Sequence, residues 1–311
     1  MSFLPTSFAP EGQPSMSLTH RITLKDLNEE PEDILAYAFG TIFPEDVAIL
    51  HGDADQPLLY TSPHLPLPFV IDLPNVSSED DRRLFSHHLW NSSLLLAEFI
   101  EADTLCLPLT PPRRNTDIVH FSITNLKTLE IGAGTALPSI MSTLLGAREV
   151  VVTDYPSAPL LTTLRTNVAR NTRAECAPSP TSATVIVEGH SWGEVGDSVG
   201  VAHGRSCDRV IAADCLWMPW QHENLRTTLA HFLNDSEGAR AWVCAGFHTG
   251  RENVRKFFDK EALRAKGLEI EAIWERDCDG KERDWDSVME DDVTKRKRWH
   301  VVGILKKIRG E

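Results

Sequence analysis

The stretch Leu129-Glu130-Ile131-Gly132-Ala133-Gly134-Thr135-Ala136 lies between an apolar β-like run and a helix-like run. Its two glycines let the backbone approach a ligand with no Cβ in the way, and the helix that follows offers free N–H groups at the positive end of its dipole. A dinucleotide-binding G-x-G-x-x-G would put a third glycine at position 137, where the chain has Leu137 and then Pro138. Pyrophosphate loses support, and a cofactor without one gains it. A second acid, Asp154, follows the next β-like run (Glu149 to Thr153), 24 residues beyond Glu130. An acid at the carboxyl end of a second strand is placed to accept hydrogen bonds from ribose hydroxyls, and buried without a partner it would be costly. The rival reading is a glycine-containing βα turn that holds no ligand.

Residues of this kind need a sheet to align them, and from Asn125 onward short apolar runs alternate with helical ones, the pattern of a parallel α/β sheet. The strand candidates are Leu126 to Ile131, Glu149 to Thr153, Thr184 to Glu188, Arg209 to Ala213, Ala241 to Ala245, Leu268 to Trp274 and Trp299 to Leu305. Helices are expected over Ala136 to Leu145, Pro159 to Asn171, Gln221 to Phe232 and Asn253 to Lys266. Asn167, late in the second, reads as a helix-surface residue. Between the last two strands the link from about Asp277 to Lys297 is charged and holds no helix, so they should pair antiparallel. The fold class is therefore α/β: a Rossmann-like seven-stranded sheet, mostly parallel with a terminal antiparallel strand, plus an N-terminal extension. Residues 1–20 read as a mobile leader, 21–107 as an extension laid on the main domain, and 108–311 as that domain, with a turn-rich connector at Pro108 to Thr116. Within the extension, helix-like stretches cover Pro31 to Phe39 and Ser78 to Ala97, with a Pro-punctuated β-like stretch from Leu58 to Leu73 between them.

A net charge of −14 argues against a surface built for a bare phosphate backbone, so nucleic acid is not the expected partner; a small molecule or a basic protein is. Six cysteines are scattered without a C-x-x-C pair, which suggests neither a metal site nor a disulfide framework. No segment reaches the ~18 apolar residues of a membrane span, and the N-terminus lacks a secretory pattern. A cytoplasmic and also nuclear location is expected. The run Lys295 to Arg298 reads as a solvated strand entry rather than a nuclear signal.

Several separated motifs resemble the class I S-adenosylmethionine-dependent methyltransferases, and within them the family-16 lysine-methyltransferase-like branch, including fungal proteins called nicotinamide N-methyltransferase-like. They are His88-Leu89-Trp90-Asn91, Leu129 to Gly134, Thr153-Asp154-Tyr155-Pro156, Ser191-Trp192-Gly193, Ala213-Asp214-Cys215-Leu216-Trp217 and Ala245-Gly246-Phe247-His248. The resemblance implies S-adenosyl-L-methionine as cofactor and S-adenosyl-L-homocysteine as product. It implies that Trp90 packs near the cofactor, that Asp154 holds the ribose with Tyr155 beside it, and that Trp192 borders the adenine, with Glu130, Gly132, Gly134 and Asp214 completing the cofactor site. Each tryptophan also has a plain alternative as core packing.

Asp214-Cys215-Leu216-Trp217 matches the family's acid-x-x-tyrosine motif, with Trp217 in place of tyrosine. Beside a transferred methyl, a carboxylate or backbone carbonyl binds an amine and an aromatic face stabilises its cationic character. Asp214 and Trp217 are thus the catalytic candidates, and N-methylation is the favoured reaction. His222 and His248 are candidates for deprotonating the acceptor, against the commoner structural role of a lone histidine. The leading expectation is methylation of a lysine or α-amino group of a protein, since an acidic surface suits a basic protein. Two alternatives stand beside it: a small-molecule, nicotinamide-like N-methyltransferase, and a methyltransferase-like scaffold subunit of a protein complex with weak or no activity.

Overall fold

Alternation along each β-like run sorts its side chains onto two faces of a sheet, and both faces are covered. Val150 and Val152, Ile211 and Ala213, and Trp242 and Cys244 enter one apolar cluster, while Val151, Val210, Ala212, Ala241, Val243 and Ala245 enter another. The computed structural model describes residues 18–25, 48–52, 56–75, 88–114, 119–286, 292 and 296–309.

In chain order the described elements begin with β1 (Ile22–Leu24), β2 (Leu50–His51), β3 (Leu58–Tyr60), β4 (Phe69–Ile71), β5 (Leu89–Trp90) and α1 (Asn91–Thr104). Then come β6 (Lys127–Ile131), α2 (Leu137–Leu144), β7 (Glu149–Asp154), α3 (Ala158–Asn171), β8 (Thr184–Gly189), α4 (Ser198–His203) and β9 (Arg209–Ala213). The chain continues through α5 (His222–Phe232), β10 (Arg240–Gly246), α6 (Arg251–Phe257), α7 (Lys260–Arg264), β11 (Leu268–Asp277), β12 (Glu282–Asp284) and β13 (Trp299–Lys307). The main sheet has the order β12-β11-β13-β10-β9-β6-β7-β8. The five strands from β10 to β8 run parallel, and β13, β11 and β12 are antiparallel to their neighbours. Helices α1, α2 and α3 cover one face; α4 to α7 cover the other. This is the expected Rossmann-like sheet with its terminal antiparallel pairing. The eighth strand, β12, comes from the charged link, and its Arg283 pairs at 2.7 Å with Glu275 of β11, which is fully buried and also pairs with Arg251 of α6 at 2.5 Å. Among the described residues no helix is long and apolar enough to cross a membrane.

Three expectations change. The helix expected over Ser78 to Ala97 instead begins at Asn91 and runs to Thr104, because Leu89 and Trp90 pair with His51 and Leu50 as a short antiparallel ladder. Residues 76–87, and the stretch Pro31 to Phe39, lie outside the described residues. The helix expected over Asn253 to Lys266 is two helices, because Asp259 caps the second by accepting from the Ala262 N–H at 2.9 Å. Asn167 is fully buried rather than on a helix surface. Its amide accepts from the Asp72 N–H and donates to the Asp72 carbonyl, both at 2.8 Å, and Asn171 makes the equivalent pair with Val70 at 2.9 and 2.8 Å.

Two asparagines one turn apart on α3 therefore satisfy the open edge of β4, the outer strand of the β1-β3-β4 sheet. Arg170 on the same helix adds an ion pair to Asp72 at 2.7 Å. Replacing Asn167 with alanine should cost about 2 kcal/mol, the scale of leaving buried backbone groups without partners. Urea unfolding checks this; an unchanged midpoint would mean that the edge is not held by these amides. Leu18, at the end of the expected leader, is buried and its N–H bonds the Cys278 carbonyl at 3.0 Å.

Candidate functional site

A pocket, open at its mouth, lies at the carboxyl ends of the parallel strands and is lined from β5 and the start of α1, the β6–α2 turn, and the ends of β7, β8 and β9 with the segments that follow them. Gly132 and Gly134 both line it at positive φ, +60° and +53°. A Cβ on Gly132 would stand 2.9 Å from the Cys215 sulfur and from the Trp192 ring, whereas one on Gly134 would enter open space. The first glycine is thus demanded by neighbours as well as by its positive φ, and the second by backbone conformation.

The turn is stitched to β7. Asp154 accepts from the Gly134 N–H with one oxygen and from the Tyr155 N–H with the other, each at 2.6 Å. The Ala133 N–H bonds the Thr153 carbonyl at 3.0 Å, and the Thr153 hydroxyl bonds the Glu130 carbonyl at 2.8 Å. Burial pushes the Asp154 carboxyl up to about 6 against those backbone hydrogen bonds. Tyr155, half-exposed, forms part of the rim beside it.

Glu130 does not line the pocket. Its carboxylate accepts from the Ser139 N–H at 3.0 Å and the Ser139 hydroxyl at 2.5 Å. The residue preceding α2, Ala136, has no side chain that can cap the helix, so the acid from β6 takes over the N–H of the first turn. Burial lifts Glu130 to about 8 against the Ser139 hydrogen bonds. Sequence pattern cannot separate a ligand-holding acid from one that holds the ligand's loop, since both stand beside the same turn.

Trp192 lines the pocket with its ring against the Gly132 turn. The next residue, Gly193, has φ +91°, and its N–H bonds the Thr228 hydroxyl of α5 at 2.8 Å, which fixes the Trp-Gly turn. Trp90 is partly buried and stands at the N-terminus of α1 in extended conformation, not within a helix as its apolar surroundings suggested. It lines the pocket and packs on His248 with ring centroids 4.6 Å apart.

Across the pocket, Asp214 follows β9 at φ +58°, a left-handed position that aspartate tolerates. Its N–H bonds the Cys244 carbonyl at 2.7 Å. One carboxylate oxygen accepts from the Ser92 hydroxyl at 2.7 Å, and His248 Nε2 lies 3.0 Å away. Burial works to raise the Asp214 pKa, but the His248 charge and hydrogen bond, helped by Ser92, outweigh it and hold it below the ordinary value. For His248 the order is the same with opposite sign: burial lowers it, and Asp214 more than restores it. Asp214 lines the pocket, yet its carboxylate is engaged from behind; it fixes the turn that carries Cys215, Leu216 and Trp217. Trp217 is partly exposed on the pocket wall with Met218 and Gln221, so it is not core.

The fold therefore gathers Trp90, Gly132, Gly134, Asp154, Tyr155, Trp192, Asp214 and Trp217 around one pocket and leaves Glu130 behind it. Of the two histidines, His248 joins Asp214, whereas buried His222 bonds the Leu216 carbonyl at 2.9 Å and packs on Phe257. Ser92 and Ser93 were missed. Their only sequence signal was two hydroxyls at the head of an otherwise apolar helix.

Comparison with known proteins places these features in a family context. The signature of the lysine methyltransferase family matches residues 76–263. The protein N-terminal and lysine N-methyltransferase EFM7 of Gibberella zeae is 31% identical over 206 residues, covering 62% of this chain and 70% of the relative. Its Schizosaccharomyces pombe counterpart of the same description is 32% identical over 196 residues, covering 62% and 68%. The mouse protein-lysine methyltransferase METTL21E is 32% identical over 172 residues, covering 55% and 60%.

Proposed function

The chain belongs to the lysine methyltransferase family and is an S-adenosylmethionine-dependent class I methyltransferase; on that premise we propose that it methylates a lysine side chain or the N-terminal amine of a protein. The observation that carries this reading is the opposition, across one pocket, of a glycine turn bonded to Asp154 and an aromatic wall on the segment that follows Asp214. The relatives' names, which specify protein N-termini and lysines, support the same acceptor class. A nicotinamide-like small-molecule acceptor is a narrower alternative that those names do not favour.

The residues present fit the cofactor. The open space at Gly134 admits close approach, Asp154 offers lone pairs beyond those used by two N–H groups, and the Trp192 ring offers a flat face. Bound there, S-adenosylmethionine supplies a methyl group on a sulfonium, a leaving group that needs no covalent help. The protein's share is alignment and exclusion of water. Asp214 acts as a positioning residue that sets the Leu216-Trp217 turn, and the Trp217 ring faces the incoming amine. An ammonium moved into this partly apolar site is desolvated, which favours the neutral, nucleophilic amine.

Incubating the enzyme and labelled cofactor with a cell lysate, followed by mass spectrometry of the labelled species, tests the reading; label in a small molecule alone would support the small-molecule alternative, and cofactor binding without any labelling the scaffold one. Trp217→Ala should lower methyl transfer by about two- to thirtyfold, the range of an aromatic–cation contact of ~0.5 to 2 kcal/mol. Cofactor affinity and melting temperature should hardly move, because this ring lines the pocket wall rather than the core. Trp217→Tyr should retain activity. A Trp217→Ala enzyme with full activity would remove the ring from the acceptor site.

A further inference from the structure

Trp220 is 73% exposed, an unusual state for the largest side chain, and it stands beside the pocket rather than in it. Its ring meets Trp217 edge to face with centroids 6.5 Å apart. Trp217, Met218 and Gln221 line the pocket, so the exposed indole continues the acceptor wall outward past its mouth. The segment that carries it is rigid. His222 closes the loop onto the Leu216 carbonyl at 2.9 Å, and the Gln221 N–H bonds the Met218 carbonyl at 2.9 Å. Asn224 donates to the Gln221 side chain at 2.7 Å, and Pro219 opens the short helical turn Pro219–Gln221. A loop fixed in this way holds Trp220 in water, where the ring gains little for the fold.

We propose that Trp220 is the docking residue for the substrate protein: the chain segment flanking the acceptor amine lies across its indole, with a basic side chain over the open ring face. This rests on the protein-amine reading above and names how that substrate is held. Two considerations favour a basic segment: the exposed indole beside the pocket residue Trp217 is a face that attracts Lys and Arg, and the enzyme's net charge of −14 favours a cationic partner. Trp217 and Trp220 thereby divide the work, the inner ring facing the amine and the outer one the adjoining chain.

The test compares wild type, Trp220→Ala and Trp220→Arg for methyl incorporation from labelled S-adenosylmethionine into lysate proteins, read at increasing lysate concentration. Cofactor affinity and melting temperature are measured alongside. Trp220→Ala should raise the half-saturating lysate concentration about tenfold, the effect of losing an exposed aromatic anchor, with the plateau rate within about twofold. Trp220→Arg should raise it further, because it repels a basic segment while keeping bulk. Cofactor affinity and melting temperature should match wild type in both. An unchanged half-saturating concentration in Trp220→Ala, with the wild type active, overturns the docking role alone. Equal effects of alanine and arginine overturn the basic segment. If the wild type labels no protein, the acceptor reading falls and this inference with it.

Discussion

Replacing Asp154 with alanine should weaken S-adenosylmethionine binding by about ten- to a hundredfold while leaving the sheet folded. The carboxylate does two jobs: it holds the Gly134 N–H at 2.6 Å, and it offers its remaining lone pairs to ligand hydroxyls. Hydrogen bonds to a charged group contribute about 1.5 to 3 kcal/mol each, and tenfold in affinity is about 1.4 kcal/mol. Alanine removes both jobs at once. The same geometry predicts a pH dependence. Burial has raised Asp154 to about 6 in the free protein, from an ordinary 3.8, and a hydroxyl donor prefers the charged acceptor. Affinity should be full above about 6 and fall as the pH drops through that value. The ligand-free protein should move the other way, losing stability as the pH rises from 3.8 to about 6, because the folded state holds the proton more tightly than the unfolded one. Calorimetric titrations from pH 5 to 8 read the first effect and thermal melts the second. Asp154→Asn should show neither inflection. Wild-type affinity in Asp154→Ala would move the ribose elsewhere.

A second large effect is expected at Asp214, where stability and methyl transfer should fall together. Removing one member of a buried ion pair leaves the other without its partner, at a typical cost of 3 to 5 kcal/mol; a histidine can shed its proton, so about 3 is expected for Asp214→Ala. That corresponds to a drop of roughly 5 °C in melting temperature for a chain of 311 residues. The pair also dictates the pH window. The Asp214 contribution is present above its unfolded value near 3.8 and lost as the pH falls through its depressed folded value. The His248 contribution is present below 6.5 and lost as the pH rises through its raised folded value. Their joint stabilisation is therefore fullest between about 3.8 and 6.5, and the deficit of the variant should be largest there. Melts of wild type and variant across pH 4 to 9 measure it. A deficit that does not change with pH would mean that the pair is not ionised in the folded protein.

Much of this molecule could be read from the chain alone. Short apolar runs marked the seven expected strands between Lys127 and Lys307, because burial on both faces of a sheet leaves few polar positions along each run, whereas the charged β12 carried no such mark. The glycine turn and Asp154 were legible because only a backbone at positive φ next to an acid at a strand end serves that chemistry. Tertiary structure decided the rest. Ser92 and His248 reach Asp214 from 122 and 34 residues away, and Asn167 meets Asp72 across 95. No local period marks such contacts. Glu130 was separated from the pocket by a hydrogen bond nine residues on, to Ser139, which depends on how α2 leaves the turn. The sequence by itself determined which backbone could form and which acids stood at its strand ends. Only the packing of one element on another decided which of those acids faces the pocket and which braces it, since that depends on side-chain direction in three dimensions rather than on residue type.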